Sequence, residues 1–118
     1  MLEPVSLDVF VPSKNYAESQ RFYELLGFKK VFDTGKLSQM RQGDVSFLLQ
    51  DFFEPGLAKN LMLQLTVKNL DAAFETLTRL KGQEEDLKLR FTPPKDEAWG
   101  RVMYLWGPAG ELWYLTEG

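Results

Sequence analysis

The side chains that could do chemistry in this sequence are carboxylates, amides and aromatic rings, because it contains no histidine and no cysteine. Imidazole acid–base catalysis, thiolate nucleophiles and thiolate zinc sites are thereby excluded. Among the carboxylates, Asp8 interrupts an apolar strand pattern and Asp51 ends another. Glu54, Asp96 and Glu97 fall in loops, where carboxylates are usually solvated. Asp8 is therefore the candidate for ligand contact, and a solvent-facing position is its alternative.

Aromatic side chains at the junctions of strands and loops form the second group of candidates. Phe52 and Phe53 follow the last strand of the first half, and Trp99 opens a strand after a loop that contains two prolines. Large rigid rings in such places suit planar or amphipathic ligands. Strand alternation puts Tyr114 on the cleft side and Trp113 on the helix-packed side, so Trp113 is predicted to be core.

A repeated order of elements would position these residues. Residues 5–11 alternate as a half-buried strand and lead into a helical pattern that Gly27 ends. The same sequence of patterns returns about 56 residues later, and each half continues with three short strands. The order is βαβββ twice. The predicted strands are 5–11, 28–32, 37–41, 45–51, 61–67, 87–91, 101–106 and 111–116, and the helices are 16–26 and 70–81.

This order predicts an α+β fold, in which two βαβββ modules form a curved mixed sheet around a cleft. At 118 residues the chain is long enough for one domain, made of repeats 1–55 and 56–118. If Leu63, Leu65 and Val67 face the helix, the residue that precedes each of them faces the cleft. Those residues are Met62, Gln64 and Thr66, and their counterparts in the first half are Ser6, Asp8 and Phe10.

Charge and hydropathy limit the partners. Fourteen basic and seventeen acidic residues give a net charge of −3 without a basic stripe, which argues against nucleic acid. No apolar stretch approaches the ~20 residues of a membrane span. Residues 1–4 also lack the charged segment followed by an apolar segment that is typical of a signal peptide. We therefore expect no membrane partner and a cytoplasmic location.

Two motifs resemble those of the vicinal oxygen chelate superfamily, which includes glyoxalase I, extradiol dioxygenases, and fosfomycin- and bleomycin-resistance proteins. RFYELLGF at residues 21–28 is similar to the helix end FYxxxLGF of that superfamily, and GPAGELW at residues 107–113 to its hairpin DPDGNLxE. The resemblance covers essentially the whole chain. This sequence departs from the hairpin motif at Gly107, where the family has Asp, and at Glu111, where it has Asn.

The resemblance also implies where a metal would bind. Metal-binding members place four ligands, usually His, Glu or Gln, on the first and fourth strands of each half. In this sequence those positions fall on Ser6 (or on Leu7 if the following loop is longer), Gln50, Met62 and Tyr114, and only Gln50 is a plausible ligand for a hard divalent ion. We therefore expect no metal and no other cofactor. Without a Lewis acid, glyoxalase and dioxygenase chemistry lose the ion that stabilises developing charge.

The resemblance favours a metal-independent binding protein of the bleomycin-resistance type, which sequesters an aromatic or peptide-like antibiotic in crevices between two subunits. A homodimer with a small-molecule ligand is therefore expected. One alternative is an enzyme of the glyoxalase I and dioxygenase group with a nonstandard site, and another is a structural or regulatory dimer without a ligand. Arg101 joins the candidates because residues 99–101 resemble the family motif WGxR, although the arginine stands one position earlier than in that motif. The candidate ligand-binding residues are Asp8, Phe10, Gln50, Phe52, Phe53, Met62, Gln64, Trp99, Arg101 and Tyr114; no catalytic residue is predicted.

Overall fold

The computed structural model describes residues 1–118 as nine strands, three α-helices and one 3-10 turn. None of the helices is both long and apolar enough to cross a membrane. In chain order the elements are β1 Phe10–Pro12, α1 Tyr16–Leu25, β2 Lys29–Asp33, β3 Leu37–Gln42, β4 Val45–Gln50, α2 Pro55–Asn60, β5 Met62–Val67, α3 Leu70–Gln83, the 3-10 turn Glu85–Leu87, β6 Arg90–Phe91, β7 Lys95–Glu97, β8 Gly100–Trp106 and β9 Leu112–Glu117.

The strands form two sheets, one for each half of the chain. The first sheet has the order β1-β4-β3-β2, and the second has β5-β9-β8-β6 with β7 paired to β8. In each sheet the first strand of the module runs parallel to its last strand, and the other pairs are antiparallel. The predicted α+β fold of two βαβββ modules is thereby confirmed.

Matching asparagine caps fix the register of the repeat. The Asn15 side chain accepts a hydrogen bond from the backbone N–H of Glu18 (3.1 Å), and Asn69 accepts one from Ala72 (3.0 Å). Each bond satisfies one of the free N–H groups at a helix start. The caps set the repeat at the difference between 69 and 15, or 54 residues, rather than about 56. Met62 therefore corresponds to Asp8 and not to Ser6.

The first strand is shorter than predicted. Residues 1–9, which we call the N-terminal arm, lie outside any strand. Leu7 is 86% exposed and Val9 39%, so the apolar side of the predicted strand 5–11 is not buried. Only Phe10, Val11 and Pro12 pair with β4, whereas all six residues of β5 pair with β9. The prediction for residues 5–9 was wrong because most of the arm finds no packing partner within this chain.

Three other segments differ from their predictions. The connector at 52–60 contains the short helix α2, with Pro55 at its start and Glu54 as its cap. The predicted strand 87–91 is reduced to β6, because the 3-10 turn occupies its start. The predicted loop 92–99 contains β7, an edge strand on β8. These elements are short: α2 and the 3-10 turn span one or two turns, and β7 pairs with β8 across a tight turn at residues 98–99.

The two halves share one core. Phe47 on β4 and Trp113 on β9 have ring centroids 5.3 Å apart, and the ring of Tyr23 lies 4.8 Å and 5.7 Å from them. Trp113 is 5% exposed, which confirms its predicted core position. Because side chains alternate along a strand, Leu48 and Tyr114 must point away from this core. The cleft-facing sides of the two sheets therefore lie on opposite sides of one chain, and a single chain does not enclose a cleft between them.

A buried polar cluster joins the halves beside these rings. The Tyr23 hydroxyl donates to Glu111 Oε2 (2.7 Å) and accepts from the Trp113 indole N–H (2.8 Å). Glu111 is fully buried, and its Oε1 accepts from the backbone N–H of Ala109 (2.9 Å). Burial raises the pKa of both the Glu111 carboxyl and the Tyr23 hydroxyl. Buried polar groups need such partners, so this cluster holds α1 to the β8–β9 hairpin.

The two departures from the hairpin motif are coupled. A Cβ atom added at Gly107 would lie 2.5 Å from each carboxylate oxygen of Glu111, far inside contact distance. The carboxylate of Glu111 therefore fills the space that a side chain at position 107 would need. This turn therefore carries a carboxylate at its fifth position, Glu111, and none at its first, Gly107.

We predict that Gly107→Asp and Glu111→Asn compensate for each other. Gly107→Asp alone would crowd two carboxylates into one buried space and cost about 3 kcal/mol or more. Glu111→Asn alone would remove the carboxylate that accepts from Tyr23 and Ala109, at about 1–3 kcal/mol. The double variant should lose at least about 1 kcal/mol less than the sum of the two single losses. Denaturant unfolding of the unaltered protein, the two single variants and the double variant gives the four free energies of unfolding. Additive losses of stability would contradict the coupling.

Candidate functional site

A cavity of about 550 Å³ opens on the cleft-facing side of the second sheet. Its floor comes from β5 and β9, which run parallel and in register, so that Gln64 lies beside Tyr114 and Thr66 beside Thr116. Alternation along both strands brings every second residue to this face. The structure thus brings together four of the predicted site residues with three others. The lining residues are Met62, Gln64, Thr66, Trp99, Tyr114, Thr116 and Glu117.

Trp99 forms an exposed aromatic wall of this cavity. Its side chain is 69% exposed, and its indole N–H donates to the Tyr114 hydroxyl (2.8 Å). Tyr104 lies beside Tyr114 with ring centroids 5.4 Å apart, and Trp106 lies 6.1 Å from Tyr104. The register of β8 and β9 places Tyr104 and Trp106 on the same face as Tyr114. The hydrogen bond holds a ring in solvent, ready to stack on a ligand.

The floor of the cavity is almost uncharged. The Thr66 and Thr116 hydroxyls are hydrogen-bonded to each other (3.0 Å). Glu117 is the only carboxylate in the lining, and its Oε1 accepts from the backbone N–H of Leu70 at the start of α3 (2.9 Å). That bond and the positive end of the helix dipole offset part of its charge. A ligand here meets hydroxyls, an amide and aromatic rings.

A polar group lies on the corresponding face of the first sheet. Asp8 accepts hydrogen bonds from Ser46 Oγ (2.6 Å) and Gln39 Nε2 (3.2 Å), which fix its carboxylate while leaving it partly exposed. Phe10 on β1 is 51% exposed on the same face, where it pairs with Leu48, and alternation along β4 places the side chain of Gln50 on that face too. These predicted residues lie together, but on the side of the chain opposite to the cavity of Trp99.

Phe52 and Phe53 lie at the end of the first sheet, before α2. They are 49% and 37% exposed. Lys14 places its ammonium 5.7 Å from the centre of the Phe53 ring, and the Ser13 backbone N–H donates to the Phe52 carbonyl (3.0 Å). Neither phenylalanine lines the cavity of Trp99.

Arg101 lies outside both groups. Its guanidinium donates two hydrogen bonds to the carboxylate of Asp71 in the first turn of α3 (3.1 Å each) and lies 3.5 Å from Asp96. The hydrogen bonds from Arg101 lower the pKa of Asp71, and Asp71 raises the pKa of Arg101. The arginine thus faces the helix side of the second sheet, away from the cavity. In the WGxR-like motif this arginine stands one position earlier, and alternation along β8 therefore puts it on the face opposite to Tyr104.

The residues present do not fit the metal site of the superfamily. With the register that the two caps set, the first-strand position equivalent to Met62 is Asp8, so the four ligand positions hold Asp8, Gln50, Met62 and Tyr114. Of these, only Asp8 and Gln50 carry side chains that hard divalent ions favour, and the Asp8 carboxylate already accepts hydrogen bonds from Ser46 and Gln39. The structure contains no group of three or more His, Cys, Asp or Glu residues placed to hold an ion. Met62, which lines the same cavity as Tyr114, offers a thioether that hard divalent ions disfavour.

Sequence reasoning left several residues out of the site. Thr66 and Thr116 were placed on the cleft side by alternation but were not chosen, because small hydroxyl side chains carry no distinctive signal. Glu117 and the two residues that hold Asp8, Gln39 and Ser46, could not be found because their roles depend on neighbours across the sheet.

Comparison with known proteins gives structural relatives only. No family model and no curated protein matches the sequence. Three solved structures illustrate the likeness. A bleomycin-binding protein from Streptomyces verticillus has 21% identity and a TM-score of 0.81, with 100% of this chain and 99% of that chain covered. An antibiotic-binding protein from Streptomyces sp. CB03234 has 23% identity and a TM-score of 0.78, covering 99% and 98%.

The third is a fosfomycin resistance protein from Mesorhizobium loti, with 18% identity, a TM-score of 0.71, and 100% and 94% of the chains covered. Each likeness extends over nearly the whole of both chains, so the agreement concerns the complete arrangement of both modules. The resemblance read from the two sequence motifs is thus confirmed at the level of the fold: this chain has the fold of the vicinal oxygen chelate superfamily.

Proposed function

We propose that this protein is a metal-independent small-molecule-binding protein whose complete binding groove forms between two copies of the chain. The observation that carries the proposal is the cavity walled by Trp99, whose exposed ring is held in place by the Tyr114 hydroxyl. An exposed, oriented tryptophan beside neutral hydrogen-bonding groups suits a planar compound with polar substituents.

The opposed cleft faces support the part of the proposal that concerns assembly. Each chain offers two open faces, one with Trp99 and Tyr114 and one with Asp8 and Phe10. A second copy that places its first sheet against the second sheet of this chain would close both. The N-terminal arm adds exposed apolar side chains, among them Leu2 at 95%, Val5 at 98% and Leu7 at 86%, which a second copy would also cover.

The structural relatives support the kind of ligand. Two of them are described as a bleomycin-binding protein and an antibiotic-binding protein. We propose an aromatic or peptide-like antibiotic, or a metabolite of similar shape, as the ligand of this chain. Sequestration then needs only tight binding, which agrees with a site built from rings, amides and hydroxyls.

The proposal is tested by a thermal-shift screen with natural-product antibiotics and aromatic metabolites. A compound that binds only the native state must raise Tm, by an amount that grows with its concentration over Kd. We expect a compound with a planar aromatic part to do so in protein from which metal has been removed by chelation. A ligand that binds only after a divalent ion is restored would contradict metal independence.

For such a ligand, we predict that Trp99→Ala weakens binding by about 1–3 kcal/mol, because a stacked ring at the centre of a site is lost. Because Trp99 is 69% exposed, the unfolding midpoint should hardly change. Trp113→Ala is the matched core control and should cost about 3–5 kcal/mol of stability. Tyr114→Phe keeps both rings but removes the hydrogen bond that orients Trp99. A large loss of stability in Trp99→Ala with unchanged affinity would remove Trp99 from the site.

We also predict a homodimer. Sedimentation at micromolar concentration should give a species of twice the 13.6 kDa chain mass, because the faces and the arm of a lone chain expose too much apolar surface. Deleting residues 1–6, which make no hydrogen bond within the chain, should shift the protein towards monomer without unfolding it. A monomer alone from the full chain would contradict the proposed assembly.

A further inference from the structure

A second cavity, of about 440 Å³, lies where α1 of the first half meets the β8–β9 turn and the 3-10 turn of the second half. It shares no lining residue with the cavity of Trp99. Phe22, Leu87 and Leu89 form an apolar part of its wall and are themselves almost completely buried. Arg21 joins α1 to this part of the second half through ion pairs with Glu84 and Asp86.

The rim of this cavity carries charges that the protein leaves unpaired. Lys88 and Arg90 line it, and neither has a carboxylate within 4.0 Å. Glu18 lines it too and has no cation within that distance, whereas Asp86 is paired with Arg21 (2.7 Å). Two free cations and one free carboxylate therefore surround one partly apolar hollow.

Two local features set the directions of the cations. The guanidinium of Arg90 lies 4.1 Å from the centre of the Trp106 ring, a cation–π contact that orients its donors. Lys88 has left-handed backbone angles (φ 51°, ψ 52°), which residues other than glycine rarely adopt. This turn lets the neighbours on both sides, Leu87 and Leu89, enter the core while Lys88 stays exposed at the rim.

We propose that this cavity binds a small zwitterion, an amino acid with an apolar side chain. Its carboxylate would accept charge-assisted hydrogen bonds from Lys88 and Arg90, and its ammonium would pair with Glu18. Its side chain would pack on the wall of Phe22 and Leu89, where water is displaced from apolar surface. Neither a simple anion nor a simple cation satisfies all three free charges.

Three matched probes test this proposal. L-phenylalanine carries both charges, N-acetyl-L-phenylalanine only the carboxylate, and phenethylamine only the ammonium. The indole N–H signal of Trp106, followed by ¹⁵N NMR, reports on the cavity, and those of Trp99 and Trp113 are internal references. We expect a saturable shift of the Trp106 signal with L-phenylalanine below about 10 mM, and at least tenfold weaker binding of the other two probes.

Variants then connect the binding to the charges. Lys88→Gln and Arg90→Gln should each weaken L-phenylalanine about tenfold or more, the usual effect of losing a hydrogen bond to a charged group. Glu18→Gln should abolish the preference for L-phenylalanine over its N-acetyl derivative. Lys59→Gln on α2 is the control and should change nothing; an unshifted Trp113 signal verifies the fold of each variant.

Three results would contradict an amino-acid site in this cavity. The proposal is overturned if no probe shifts the Trp106 signal, if the N-acetyl derivative binds as tightly as L-phenylalanine, or if Lys88→Gln and Arg90→Gln leave Kd unchanged. None of these results bears on the Trp99 cavity, which the antibiotic screen tests separately.

Discussion

The arrangement of this molecule depends on the hydroxyl of Tyr23. A buried hydroxyl that lost its partners would cost free energy, and the partners of this one, Glu111 and Trp113, both belong to the second half. Its ring meanwhile packs on Phe47 of the first sheet. Apolar contacts alone would let the two modules slide over each other, whereas directional bonds fix one relative position. In that position the cleft-facing sides of the two sheets point in opposite directions.

The altered hairpin motif follows from the same constraint. Tyr23 needs an acceptor, and Glu111 reaches it only because Gly107 leaves room for the carboxylate. The backbone N–H of Ala109 binds the other carboxylate oxygen, so the turn itself is tied to the cluster. Read one at a time, the two departures from DPDGN suggest a change in turn hydrogen bonding. In three dimensions the two residues depend on each other, because the Glu111 carboxylate occupies the space next to the Gly107 backbone.

For the residues of the site, the sequence predicted positions that depend on neighbours along the strand and missed contacts with residues that are distant in sequence. Alternation correctly separated Trp113 in the core from Tyr114 in the cavity, because the period of a strand is local. It failed for residues 5–9, because burial of an alternating pattern requires a partner that this chain does not provide. Arg101 was misplaced for a similar reason. Its ion pair with Asp71 joins a strand to a helix, and no motif records that contact.

The opposed faces have a consequence for binding in the proposed dimer. The face with Trp99 and Tyr114 offers rings and neutral polar groups, whereas the face with Asp8 offers a fixed carboxylate. One ligand can meet both kinds of group only where the first sheet of one copy lies against the second sheet of another. Binding and assembly would then be linked, and each would strengthen the other by the same free energy. A lone chain would hold either half of such a ligand only weakly, because each half-site lacks what the other supplies.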